Sequence, residues 1–89
     1  MQKTRPCVVV TANNINRRRR TVVVIPISTT SPKDFPLYVP LPSVSQNSQA
    51  VIDQIRAVDR SRLGDWYAKV TMSEMDDLVY AMGIVFEVE

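Results

Sequence analysis

Thr21-Val22-Val23-Val24-Ile25-Pro26-Ile27-Ser28 decides the fold class of this 89-residue chain. Side chains branched at Cβ are stiff in a helix and pack well on a pleated surface, so the run reads as a β-strand. Pro26 has no N–H to give to a sheet, which predicts that it sits at a sheet edge, a bulge or the strand end. Working outward, Cys7-Val8-Val9-Val10-Thr11 is a similar run and predicts a buried strand ahead of the first. Residues 12–20, between the two, hold three asparagines and four arginines, which is loop chemistry.

Downstream, Thr29 to Pro36 is rich in Ser, Thr and Pro and reads as a second loop. Leu37-Tyr38-Val39-Pro40-Leu41 is a third, shorter strand, and Pro42 to Gln49 a polar connector. Ala50 to Asp59 admits two readings. Val51, Ile52, Ile55 and Val58 fit one face of a helix, and the same residues among polar neighbours also fit a strand. Trp66 to Val70 predicts a final strand after the Gly64-Asp65 turn signal. Thr71 and Glu74 match a capping box, with Met75, Leu78, Val79 and Met82 on one face of the helix that follows. Asp76 and Asp77 stand near its positive end, and Gly83 marks an interruption or its end. The expectation is one domain over residues 1–89, mainly β with a C-terminal helix.

Composition excludes several chemistries. The chain has no histidine, so imidazole acid–base catalysis and the commonest transition-metal ligand are absent. Its one cysteine, Cys7, cannot form an intramolecular disulfide and reads as a buried thiol with no catalytic partner. The longest strongly apolar run, Val22 to Ile27, is far too short to span a membrane, and the apolar part of residues 1–12 is too brief for a secretory signal. A reducing, cytoplasmic setting is expected. The net charge of +2 hides an asymmetry. Residues 1–33 carry seven basic side chains and no acid, whereas residues 34–89 carry four basic against nine acidic ones. A cationic half points to a polyanion, of which nucleic acid is the usual case, although a run such as Arg17 to Arg20 is also what a solvated turn looks like.

Five segments in order resemble the MazF/PemK toxins. They are Arg5-Pro6 before Cys7-Val8-Val9-Val10 and its asparagine-rich loop; Val24-Ile25-Pro26-Ile27-Ser28-Thr29; Val51-Ile52-Asp53-Gln54-Ile55-Arg56; Val58-Asp59-Arg60-Ser61-Arg62-Leu63-Gly64; and the capped C-terminal helix. The third and fourth are the most specific. The resemblance implies a small SH3-like β-barrel of the MazF/PemK/CcdB type, forming a homodimer, with strand around Val51 to Ile55 and a helical turn over Asp59 to Leu63. It further implies a metal-independent, cofactor-free endoribonuclease that cuts single-stranded RNA at short motifs, inhibits translation, is silenced by a cognate antitoxin, and meets operator DNA only through that antitoxin. Family members usually carry a further strand and mobile loop ahead of the Arg-Pro, whereas four residues precede Arg5 here. The edge beside Cys7 to Thr11 is therefore expected to be covered by a second protomer or by an antitoxin segment adding a strand.

The resemblance places Arg5 and Ser28 as catalytic residues. A guanidinium forks two donors onto phosphate oxygens and stays charged, which suits a transition state gaining negative charge. Ser28 stands where the family usually has threonine, with Thr29 as its neighbour; a serine hydroxyl keeps the donor, and at a strand end it also serves simply as a cap. Asp53, Gln54 and Arg56 suit recognition of splayed bases and phosphates, but along a strand Asp53 and Gln54 point to opposite faces. Asn13, Asn14, Asn16, Arg17, Arg18, Arg19 and Arg20 form a basic loop able to meet RNA. Trp66 and Tyr67 fit core or dimer surface better than base stacking. Two rival readings stay open: a catalytically impaired toxin-like module that dimerises and binds antitoxin or nucleic acid, and a CcdB-like gyrase inhibitor.

Overall fold

The computed structural model describes residues 5–11, 18–29, 33–64 and 69–87. Five strands make one antiparallel sheet: β1 (Cys7–Val9), β2 (Thr21–Thr29), β3 (Tyr38–Pro40), β4 (Ser48–Val51) and β5 (Arg56–Asp59). A C-terminal helix, α1 (Met72–Val85), follows. The strand order is β1-β2-β4-β3, with β5 also paired to β2. Among the described residues the sheet stays open rather than closing into a cylinder.

The nine-residue β2 organises everything else. One edge pairs with β1, Cys7 opposite Pro26 and Val9 opposite Val24. The other edge is shared: β5 takes Thr21 to Val24 and β4 takes Ile27 to Thr29. Pro26 fits inside this strand because of that division. Ile27 N–H donates to the Pro6 carbonyl at 3.0 Å, so by alternation the N–H that Pro26 lacks would point the other way, into the gap between β4 and β5. Pro40 obeys the same rule on β3: Leu41 N–H donates to Ser48, so position 40 faces the open edge.

The gap beside Pro26 is filled by a 3-10 turn, Ile52–Gln54, which lies against both β2 and α1. This corrects the expectation of strand through Val51 to Ile55. The turn buries Ile52 completely, half-buries Ile55 on the same core, and leaves Asp53 and Gln54 exposed between them. Ile52 and Ile55 are an i, i+3 apolar pair, a spacing that a helix and a single 3-10 turn share. The second expected turn forms as Arg60–Arg62, capped by the Asp59 carboxylate, which accepts from Ser61 N–H at 2.9 Å. The polar connector also conceals strand: Ser48 and Gln49 belong to β4 and are buried. Of the expected strand at Trp66 to Val70, residues 66–68 lie outside the described residues, and Lys69 and Val70 are not strand.

The core lies between the sheet and α1, built from Val8, Ile25, Ile27, Val39, Leu41, Ala50 and Ile52 against Leu78 and Ala81. Met75 and Met82 pack at its rim, whereas Val79 faces outward and Ala81 takes an inner place. The helix runs through Gly83 without a break. Its capping box is complete, with Thr71 Oγ1 accepting from Glu74 N–H at 3.1 Å and Glu74 accepting from Thr71 N–H at 2.7 Å. Glu74 also ties the helix to the β3–β4 connection, accepting from Ser43 N–H at 3.0 Å and from Ser43 Oγ at 2.5 Å. Burial pushes the Glu74 carboxyl up, but these hydrogen bonds outweigh it and hold the pKa below its ordinary value. Among the described residues no helix is long and apolar enough to cross a membrane.

Candidate functional site

The β1–β2 register decides which candidates meet. It pairs Cys7 with Pro26, and the Ile27 to Pro6 bond carries it one residue further, so the next pair sets Arg5 opposite Ser28. Arg5 lies beyond the end of β1, and where the ladder continues to it, such a non-hydrogen-bonded position brings Cα atoms to about 4.5 Å and both side chains to one face. Arg5 is exposed and Ser28 half-buried, so this end of the face is reachable, whereas Val22 and Val24 further along it are buried. It is the sheet face opposite the helix-covered core, because its neighbours Ile25 and Ile27 on β2 alternate to the other side.

Across β2 the same row continues. Gln49 on β4 stands opposite Ser28, and Pro40 on β3 opposite Gln49. Gln49 is 4% exposed, and its Oε1 accepts from Lys33 N–H at 2.9 Å, which fastens the β2–β3 connection beside the Ser28 row. Lys33 in turn holds its ammonium 5.4 Å from the centre of the Tyr38 ring. Lys33, Asp34, Leu37 and Tyr38 line a shallow cleft at that edge. None of these four, nor Gln49, was singled out from sequence. Gln49 looked like connector, and only its position opposite Ser28 marks it.

Along β2 from this row, the Asp53–Gln54 turn occupies the gap beside Pro26. Both side chains are exposed, and because they stand in a 3-10 turn the strict alternation expected of a strand does not apply to them. Arg56 pairs with Val24 and shares a face with Val9, Cys7 and Ser28. Cys7 is half-buried rather than fully buried, because it sits on this face and not in the helix-covered core; burial still raises its thiol pKa above the ordinary value, and the nearby Arg56 charge pulls it the other way. Arg5 and Ser28 thus stand at one end of β2, while Asp53, Gln54 and Arg56 follow along its middle. Thr29 is exposed one residue past Ser28, on the alternate face.

Arg18, Arg19 and Arg20 do not join them. They precede Thr21, seven residues along β2 from Ser28, or roughly 23 Å of extended strand. There they line a cleft with Asp59, Arg60 and Ser61. Asn13, Asn14, Asn16, Arg17, Trp66 and Tyr67 lie outside the described residues.

A comparison with protein families matches residues 1–86 to the PemK-like, MazF-like toxin of type II toxin–antitoxin systems. No curated protein sequence matches significantly. Among solved structures, the chain is similar to Mycobacterium tuberculosis toxin MazF-mt6, with TM-score 0.85, 25% identity, and coverage of 96% of this chain and 88% of that one. It is similar to an endoribonuclease from Mycobacterial species, with TM-score 0.84, 26% identity, and coverage of 94% and 81%. A chain of the Deinococcus radiodurans MazE–MazF crystal structure (Form I) shares the fold at TM-score 0.81 and 21% identity, over 94% and 83% of the two chains. With the open antiparallel sheet, the single C-terminal helix and a family match over nearly the whole length, the chain belongs to the PemK-like, MazF-like toxins of type II toxin–antitoxin systems.

Proposed function

We propose that this toxin is an endoribonuclease that cuts single-stranded RNA, mRNA foremost, without a metal or other cofactor, and so inhibits translation in the cytoplasm. The observation that carries the reading is the register setting Arg5 opposite Ser28 on an accessible sheet face, within a family that includes a 26% identical endoribonuclease. In the proposed step the ribose 2′-oxygen forms a bond to the adjacent phosphorus while the bond from phosphorus to the 5′-oxygen breaks. A proton leaves the 2′-hydroxyl and another reaches the 5′-oxygen, giving a cyclic phosphate and a 5′-hydroxyl. Arg5 remains charged throughout and stabilises the added negative charge on the phosphoryl oxygens; Ser28 Oγ donates to one of them or orients the attacking hydroxyl. Asp53 and Gln54 offer acceptors and donors to base edges, and Thr29, Arg56 and the arginine-rich loop contact the strand on either side.

The partners follow from the same reading. β1 is an edge strand among the described residues, and Met72, Val79, Tyr80 and Ile84 on the helix, with Phe86 just past its end, leave apolar surface exposed. A homodimer contact and a cognate antitoxin are the occupants we assign; a similar mycobacterial endoribonuclease, 26% identical, is solved in complex with its cognate antitoxin. The test is cleavage of a mixed-sequence RNA by the purified chain in the presence of a chelator, with Arg5→Ala as control. Cleavage at short motifs that survives the chelator and is lost in Arg5→Ala supports the reading. A folded chain that binds RNA or antitoxin without cutting would establish the impaired-module alternative, and inhibition of gyrase supercoiling the CcdB-like one.

A further inference from the structure

The β2–β5 pairing carries a second line of cations away from the cleavage row. Arg56 stands opposite Val24, and Arg60 N–H donates to the Arg20 carbonyl at 2.7 Å, extending the register past the Thr21–Asp59 pair to set Arg60 opposite Arg20. Positions 28, 24 and 20 are four residues apart, so Ser28, Arg56 and the Arg20–Arg60 pair follow one another at two equal steps of roughly 13 Å along the line of β2. Arg20, Arg56 and Arg60 are all exposed. At the far end Arg18, Arg19, Arg20 and Arg60 converge on one cleft with Ser61 and Asp59. The Asp59 carboxylate there is turned to its own turn, accepting from Ser61 N–H, and that bond holds its pKa below the ordinary value.

We propose that Arg60, set beside Arg20 by the β5 turn, completes a backbone-phosphate subsite remote from the bond that is cut, with Arg56 as the intermediate step. The inference rests on the proposed reading of the chain as an RNA-cutting toxin. Evenly spaced, exposed guanidiniums along one line of the sheet match a flexible polyanion whose charges recur along its length, and they read no base. The subsite therefore governs how strongly long RNA is held and leaves bond cleavage in short RNA untouched.

The experiment compares Arg60→Gln with the unaltered chain, using mixed-sequence RNA of about 5 and about 15 nucleotides, near the short and long ends of the ~4–16-nucleotide footprints of small single-strand-binding folds. Each RNA is tested in a form 2′-O-methylated throughout, for binding, and in its natural form, for cleavage. With the longer RNA, Arg60→Gln should weaken binding about 2–5-fold and reduce the log–log salt slope by ~0.7, and Arg60→Lys should restore the slope. Binding and cleavage of the shorter RNA should be unchanged. Equal effects at both lengths, or none at either, would overturn the remote subsite. A lowered affinity for a poly-glutamate peptide in Arg60→Gln, with an unchanged RNA slope, would overturn it in favour of a protein-docking cleft. If the unaltered chain cuts neither RNA, the endoribonuclease reading fails, while the salt slopes still decide whether the subsite exists.

Discussion

Glu74→Ala is the substitution with the largest worked consequence for the scaffold. The Glu74 carboxylate closes the capping box on Thr71 N–H and accepts two bonds from Ser43, so one side chain joins the first turn of α1 to the β3–β4 connection. Hydrogen bonds to a charged group contribute about 1.5–3 kcal/mol each when buried. Ser43 and Thr71 are themselves exposed, so water replaces part of what is lost, and a total near 2–4 kcal/mol follows. A domain of this size holds roughly 4–13 kcal/mol, so the variant loses a large share of its stability and its Tm falls by roughly 10–25 °C. Thermal unfolding followed by circular dichroism measures this. The pH dependence sharpens the test. The folded-state pKa of Glu74 lies below its ordinary 4.5, so its stabilisation is fully present above about pH 4.5 and is lost as pH falls through the folded value. The Tm gap between wild type and Glu74→Ala should therefore narrow on acidification. A gap that is absent at pH 7, or that stays constant down to pH 3, would refute the assignment of Glu74 as the charged tie between helix and sheet.

Arg5→Ala should lower single-turnover cleavage by ~10²-fold or more at unchanged Tm, because it removes a charged transition-state contact from an exposed position. Ser28→Thr should keep most activity and Ser28→Ala should lose about 10-fold or more; equal rates for all three would leave Ser28 as a strand cap only. Gln49→Val should preserve β4 but release the Lys33 N–H, raising KM several-fold with little change in kcat, and a fall in kcat alone would contradict this placing role. If a second protomer covers the β1 edge or the helix face, Tm should rise with protein concentration, and a concentration-independent Tm for a sedimenting monomer would rule that out.

The parts of the fold written in local chemistry were legible in the sequence. Thr71 and Glu74 announce the helix start because both halves of a capping box lie within four residues. The β-branched run announces β2 for the same reason of locality. What could not be read was polar burial. Ser48 and Gln49 resemble loop residues, and they are buried in β4 because Ser48 Oγ meets Ser45 Oγ and Gln49 Oε1 meets the Lys33 amide, partners fixed only by the tertiary fold. The 52–54 turn was ambiguous because an i, i+3 apolar pair serves helix and 3-10 turn alike, and the deciding fact is a gap in the neighbouring ladder. The candidate site divided similarly. Motif resemblance named Arg5 and Ser28, whereas the joining of Arg60 to Arg20 depends on a pairing forty positions apart in the chain.

The sharing of β2 among three partners also sets how the chain must assemble. β2 meets β1 across 15–19 positions, β4 across 19–23 and β5 across 32–38, so no strand pairs with it through a tight turn. Among the described strands only β3 and β4 form a local hairpin, with Pro40 and Gln49 nine positions apart. That hairpin and α1 can organise early at small loop-closure cost, but neither supplies the hub. Folding should consequently wait on capture of β2, giving relaxation in the range of milliseconds to seconds that marks non-local sheets, with transition-state sensitivity concentrated at Ile25 and Ile27 rather than along the helix.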